Sequence, residues 1–215
     1  VSLTVVDASE DSTPDIIMQQ RPERSLVLSH AGPISEARQL GAECCNTPWL
    51  LFSDADVAFA PDYFQRLCSY QGWDVVYGSK QSRHEFGRYY RWFGYGQQLS
   101  HWLGVPAASG SNLAIRRQIV SAAGGFDPEL VCNEDSELVW RLKRAGYRIH
   151  FDRTLIVYGH DHRRLRLGLW RKSLHSIARC ALLYCHAMPS RWRGSDWGYW
   201  TSPNKREATS SNRYS

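Results

Sequence analysis

The run Leu50-Leu51-Phe52-Ser53-Asp54-Ala55-Asp56 delivers two carboxylates, one residue apart, at the end of a short apolar segment. Residues i and i+2 of an extended backbone point the same way, so Asp54 and Asp56 can face one ligand. Carboxylate oxygens are hard donors, and such a pair suits Mg2+ or Mn2+ carried with a diphosphate. In an open α/β sheet, ligands gather beyond the C-terminal ends of the strands, where this run would stop. Taken alone, the triplet reads equally well as a solvated turn.

Other groups could share that chemistry. Glu134 and Asp135 open a helical pattern, where negative charge is stabilising by ~0.3–1 kcal/mol without any catalytic role. His160 and His162 flank Asp161 directly after a strand-like run, and an imidazole there could bind metal or phosphate or simply sit in a basic surface. Gly110-Ser111-Asn112 is either a tight strand entry or the lining of a pocket. The role of His30 is left open. The six cysteines, Cys44, Cys45, Cys68, Cys132, Cys180 and Cys185, contain no C-x-x-C pair. They fit neither a disulfide framework nor a zinc site, which points to a reducing, cytoplasmic setting.

The elements that must position these groups follow from periodicity. Leu3–Val6, Ser25–Leu28, Trp49–Phe52 and Val75–Gly78 are short β-branched and apolar runs separated by longer segments, the β-α-β rhythm of a parallel sheet. Ile34–Cys44 places Ile34, Ala37, Leu40, Gly41 and Cys44 on one helical face behind Pro33. Pro61 and Asp62 open a helix toward Tyr70, Tyr89–Leu103 reads as an aromatic-rich helix, and Ala107–Ile115 as a strand. Asn133 is placed to cap a helix from Glu134 to Ala145 that Gly146 closes. Ile149–Tyr158 returns as strand. From Leu165 to Met188 apolar residues recur at Leu167, Trp170, Leu174, Ile177, Ala181 and Tyr184, flanked by Arg164, Arg171, Lys172 and Arg179, and Pro189 stops the pattern.

With 215 residues, 43% hydrophobic and 22% charged, the chain is excluded from the collagen-like, disordered and coiled-coil classes. A domain of this size buries roughly 70% of its unfolded surface and needs no disulfide or metal to form a core. No run approaches a membrane span, and no leader opens the chain, which begins at Val1 in a strand-like run and so reads as processed, excised or incomplete. The net charge of +5 is uneven: residues 160–215 hold 11 of the 26 Lys+Arg against 3 of the 21 Asp+Glu. A basic segment with an apolar stripe has the composition of an interfacial helix on anionic lipid. Arg191-Trp192-Arg193 and Trp197–Trp200 interleave basic and aromatic residues, but the acidic body offers no continuing groove, so nucleic acid is not expected as a partner. Residues 201–215 read as a disordered tail.

The order of six segments carries a further signal: Val5–Thr13 around Asp7, Ala31–Gly41 around Arg38, Trp49–Asp56, Gly110–Arg117, Gly124–Asp127 and Asn133–Asp135. In this order the chain resembles the family 2 glycosyltransferases of the GT-A fold, over about residues 1–162. The resemblance implies an α/β, Rossmann-like, mostly parallel sheet flanked by helices; beyond it, the apolar stripe and basic flanks read as a basic amphipathic helical extension over 163–200. It implies Asp7 on the nucleotide base, Arg38 on the nucleotide, Asp54 near the ribose, Asp56 as ligand to Mn2+ or Mg2+ on the diphosphate, and Ser111, Asn112 and Glu134 in the nucleotide-sugar site. His160 would be the second metal ligand, marginally ahead of His162. Asp135 matches the family's general base, which makes the expected reaction an inverting, hexosyltransferase-type transfer from a nucleoside-diphosphate sugar. The basic helix favours a lipid-linked or polysaccharide acceptor and attachment to the cytoplasmic face of a membrane.

Relatives usually begin with an extra strand and helix, the strand ending in a Pro- and Asn-containing nucleotide loop, ahead of the segment resembling Val1–Asp11. Its absence predicts either a fragment or a weak nucleotide site. The rival readings are therefore a catalytically silent nucleotide-sugar or membrane-binding module and, with less support, a sugar-phosphate nucleotidyltransferase, which would need a Gly-rich, Arg-containing phosphate loop.

Overall fold

The computed structural model describes residues 1–83, 85–160, 162–166 and 168–197. The elements run β1 (Leu3–Asp7), α1 (Thr13–Gln20), β2 (Ser25–Ser29), α2 (Ile34–Cys44), β3 (Trp49–Phe52), β4 (Val57–Phe59), α3 (Tyr63–Leu67), β5 (Val75–Gln81), α4 (Gly87–Trp102), β6 (Leu113–Arg116), α5 (Arg117–Ala122), α6 (Glu134–Arg144), β7 (Ile149–Gly159), α7 (Arg163–Arg166), α8 (Leu169–Tyr184) and α9 (Ser190–Arg193).

Five strands form one sheet in the order β3-β6-β5-β7-β4, and β1 pairs with β2 in a separate parallel ribbon. The α/β class holds, but the large sheet is mixed rather than mostly parallel. Only β5 and β7 run parallel, whereas β3–β6, β5–β6 and β4–β7 are antiparallel. The reason lies in β6. Although α4 lies between β5 and β6 in the chain, β6 runs antiparallel to both of its neighbours, β3 and β5.

β5 is the central strand and is covered on both faces. Val75 and Tyr77 join Leu113, Ile115, Leu138, Val139, Leu142 and Phe151 on one side, and Val76 joins Tyr63, Ala114, Leu155 and Val157 on the other. The alternation is the period-2 geometry of a strand applied to a continuous apolar run. Between Gly78 and Ser79 the β5–β7 register shifts. A Cβ at Gly78 would overlap the Leu155 carbonyl and crowd the Asn112 amide, so only glycine allows that approach.

Several expected boundaries move. Residues 107–112 form a loop, and the strand there is confined to Leu113–Arg116. Asn133 does not cap α6 with its side chain: it sits in the left-handed region at φ 64°, and its amide donates to Cys180 Sγ at 3.5 Å. The long C-terminal helix is broken at Gly168, whose φ of 136° suits glycine, so α7 and α8 are separate. In α8, Trp170, Leu174 and Ile177 are exposed. Tyr184 instead packs on Trp140 with ring centroids 4.8 Å apart and donates to the Pro106 carbonyl at 3.0 Å. Arg179 is not a solvated flank of the stripe but fully buried, donating to the carbonyls of Trp192 (3.2 Å) and Ser195, with the Trp197 ring 5.0 Å away. Asp161, Leu167, the side chains of Arg164, Arg171 and Lys172, and the 201–215 tail lie outside the described residues.

Candidate active site

α2 begins behind Pro33, whose fixed φ sets up the first turn, and carries Arg38 one turn into the helix. Its guanidinium is the hub of a carboxylate cluster gathered from three elements. One amino group donates to Asp54 Oδ1 at 3.1 Å, just past β3. The other bonds Glu134 Oε1 and lies 3.7 Å from Asp135 Oδ2, both in the first turn of α6. Burial disfavours charge on Arg38, but the fields of Glu134, Asp135 and Asp54 together hold it protonated.

Glu134 is almost fully buried. Burial, reinforced by the Asp135 charge and opposed by Arg38, pushes its carboxyl up to about 7. Asp135 is anchored differently: its two oxygens accept the backbone N–H of Gly110 at 2.5 Å and of Ser136 at 2.6 Å. A Cβ at Gly110 would collide with the Arg38 guanidinium, so the small residue lets the 107–112 loop close over the cluster.

Asp54 lies just past β3 and Asp56 sits in a turn, so the two are not carried on one strand. The i, i+2 alternation therefore does not govern them, and each meets a different cation. Asp56 Oδ1 lies 3.8 Å from Lys80 Nζ at the end of β5, and the Asp56 carbonyl accepts the His160 N–H at 2.8 Å. Lys80 was not singled out by the sequence reasoning. Its signal is a lysine at the end of an apolar strand beside a register shift.

The remaining candidates divide. Asn112 is fully buried. Its Oδ1 accepts from Tyr63 Oη at 2.7 Å, and its Nδ2 donates to the carbonyls of Ser79 (3.1 Å) and Leu155 (2.8 Å), so its polar atoms are committed to joining β6, β5 and β7. Ser111 is buried with its Oγ 2.8 Å from Ser109 Oγ. His162 is also buried, with Nε2 2.9 Å from Ser82 Oγ and Nδ1 3.2 Å from Tyr90 Oη, whereas His160 is exposed. Asp7 ends β1 and accepts the Ser9 hydroxyl; no hydrogen bond or ion pair joins it to the Arg38 cluster among the described residues. His30 Nε2 lies 3.1 Å from Glu36.

Among the described residues, no group of three or more His, Cys, Asp and Glu side chains could hold a metal ion by itself. The donor set nonetheless suits Mg2+ or Mn2+, which are commonly held by one or two carboxylates with substrate phosphates and water. Asp56 supplies a partly exposed carboxylate of that kind.

Comparison with known proteins agrees with this architecture. Residues 1–166 match the family described as glycosyltransferase like family 2, and the chain belongs to that family. It is 28% identical to the succinoglycan biosynthesis protein ExoA of Rhizobium meliloti (strain 1021), over 70% of this chain and 47% of ExoA. It is 34% identical to the pre-mycofactocin glycosyltransferase of Mycobacterium tuberculosis, over 38% of this chain and 17% of that protein. The chain thus spans less than half the length of these curated relatives. Among solved structures, the mannosyltransferase PcManGT from Pyrobaculum calidifontis, in complex with GDP-Man and Mn2+, superposes with a TM-score of 0.60 at 17% identity, covering 98% of this chain and 70% of that one. TarS of S. aureus (1–349) gives 0.56 at 14% identity, over 95% and 67%. At these identities the likeness is one of fold, that of GT-A glycosyltransferases.

Proposed function

We propose that the chain transfers a sugar from a nucleoside-diphosphate donor to an acceptor hydroxyl, with inversion and with divalent-metal dependence. The observation that carries this reading is the Arg38 hub, which gathers Asp54, Glu134 and Asp135 from three elements at one edge of the sheet. A structural ion pair needs one carboxylate; three around one guanidinium leave an excess of negative charge that folding alone does not require.

Asp135 acts as general base. The N–H groups of Gly110 and Ser136 fix its carboxylate, 3.7 Å from the Arg38 guanidinium, to take the proton from the acceptor hydroxyl. Lys80 offers positive charge to the diphosphate beside Asp56. Asp56, with His160 next to it, would hold Mn2+ or Mg2+, which supplies charge neutralisation for the departing diphosphate when bound. PcManGT, of the same fold, binds GDP-Man and Mn2+, which supports a donor of that class here. Asp7 is retained as the contact to the nucleotide base.

The exposed Trp170, Leu174 and Ile177 of α8 support peripheral attachment to an anionic membrane surface, and with it a lipid-linked or polysaccharide acceptor. No helix among the described residues is long and apolar enough to cross a membrane.

The test is a thermal-shift panel of UDP, GDP, TDP and CDP with and without Mn2+. Ligand at about 100 times Kd stabilises by roughly 2.7 kcal/mol. A metal-dependent shift with one nucleotide, absent in Asp56→Asn, is expected; no shift with any of the four would overturn the donor site.

A further inference from the structure

A cavity of about 310 Å3 opens between α4 and the β5–β7 pair, lined in part by Ser79, Gln81, Ser82, Arg91, Tyr95 and Arg153. Two arginines and no carboxylate are among the residues that line it. Arg91 and Arg153 are both exposed, and among the described residues neither forms an ion pair. Arg153 lies over the Tyr95 ring, its Cζ 4.4 Å from the centroid. Stacking of this kind orients the planar fork and leaves its N–H edges available to an oxyanion.

The floor supplies a second, independent sign. Ser79 is 1% exposed, lines the cavity, and its Oγ has no hydrogen-bond partner. A buried hydroxyl left without a partner is costly, and a ligand oxygen would satisfy it. The opposite wall is Gly94 of α4, where a Cβ would come within 3.3 Å of that hydroxyl. The glycine therefore keeps the cavity open above Ser79.

We propose that this cavity is an anion subsite that takes a phosphoryl group of the acceptor. This rests on the glycosyltransferase reading. Ser79 is the chain neighbour of Lys80, which stands beside Asp56, and its carbonyl accepts from Asn112, so the cavity and the candidate active site share strand β5. A phosphoryl group fits a stacked arginine, a second arginine and a hydroxyl better than a carboxylate does, because its three oxygens can engage all three at once. The outer face of α4 exposes Trp92, Leu99 and Trp102, an apolar surface next to the cavity that suits the chain of a phosphorylated lipid. The same chemistry would accept free phosphate, and the experiment separates the two.

Geranyl phosphate, geraniol and inorganic phosphate are titrated calorimetrically into the chain with Mn2+ and a saturating nucleoside diphosphate present, and into R91Q and R153Q. Expected is binding of geranyl phosphate but not geraniol, weakened about tenfold by either substitution, the loss of one charge-assisted hydrogen bond. Tighter binding of geranyl phosphate than of inorganic phosphate assigns a lipid headgroup; equal binding assigns free phosphate. Unchanged affinity in both variants, or no binding of either anion to the unsubstituted chain, overturns the proposal. Nucleotide binding weakened in R91Q and R153Q would make the cavity part of the donor site and overturn the acceptor assignment. A metal-dependent nucleotide shift without anion binding sinks the subsite alone. Anion binding without that shift upholds an anion site and sinks the transferase reading.

Discussion

Arg38 and Glu134 lie 96 positions apart in sequence and form a buried ion pair, guanidinium Nη1 on carboxylate Oε1. The pair joins α2 to the first turn of α6, and through Asp54 it also ties both to the end of β3. Three carboxylates around one cation leave Glu134 the member least able to carry charge, because it is the most buried.

This has a consequence for stability. The folded chain holds the Glu134 proton up to about 7, whereas the unfolded chain releases it near 4.5. Between these values the folded state binds more protons, so stability falls as pH rises through the window. E134Q keeps the shape and remains neutral. Urea midpoints at pH 5 and pH 8 are expected to differ less in E134Q than in the unsubstituted chain, with the variant relatively more stable at pH 8. An identical pH slope in both proteins would place the titration elsewhere.

Catalysis and donor binding should separate. D135N removes the base but keeps an amide of the same size, whose oxygen can still accept from Gly110 or Ser136. Transfer is expected to drop by about 10^2- to 10^4-fold, with nucleotide binding unchanged. D56N is expected to lose the Mn2+-dependent part of nucleotide binding. Full turnover in D135N would refute the base assignment.

Asn112 illustrates what the sequence could and could not convey. The strands β1 to β3, helix α2 and the carboxylate triplet were legible, because each depends on local periodicity or adjacent residue types. The resemblance placed residues 38, 54, 134 and 135 in one site, but that Arg38 pairs with all three carboxylates was not legible, since no spacing rule connects them. Antiparallel β6 was hidden for a related reason: a strand, a helix and a strand in sequence suggest a parallel pair, yet β6 after α4 runs opposite to β5. The break at Gly168 was masked by an apolar repeat that continues across it. Asn112 looked like a pocket residue beside Gly110, yet its buried amide links β6 to both β5 and β7.

From that placement, N112A should act on stability more than on donor recognition. The change strands the Tyr63 hydroxyl and two carbonyls, each unsatisfied group costing ~1–3 kcal/mol. A loss of about 3 kcal/mol or more is expected in urea unfolding. Y63F leaves only one Asn112 acceptor unmatched and should cost about 1 kcal/mol. A loss in N112A below that of Y63F would show that the amide does not link the strands.

The apolar residues of α8 yield the last prediction. Trp170, Leu174 and Ile177 are 89%, 70% and 66% exposed and recur at helical spacing, so they add little to folding, and replacing them with serine should change stability by no more than about 0.5 kcal/mol. On a membrane the same side chains would leave water. Full burial stabilises each by roughly 1.5–3 kcal/mol, so even partial insertion of three should govern the partition coefficient. The excess of basic residues from 160 onward adds attraction to anionic headgroups that salt screens. The chain is therefore expected to co-sediment with vesicles containing phosphatidylglycerol, less with pure phosphatidylcholine, and less again at high salt. The triple serine variant should lose about 100-fold or more in vesicle affinity while its thermal midpoint is unchanged. Equal sedimentation with neutral and anionic vesicles would remove the electrostatic component. Unchanged binding of the folded triple variant would show that α8 is not the surface that meets lipid.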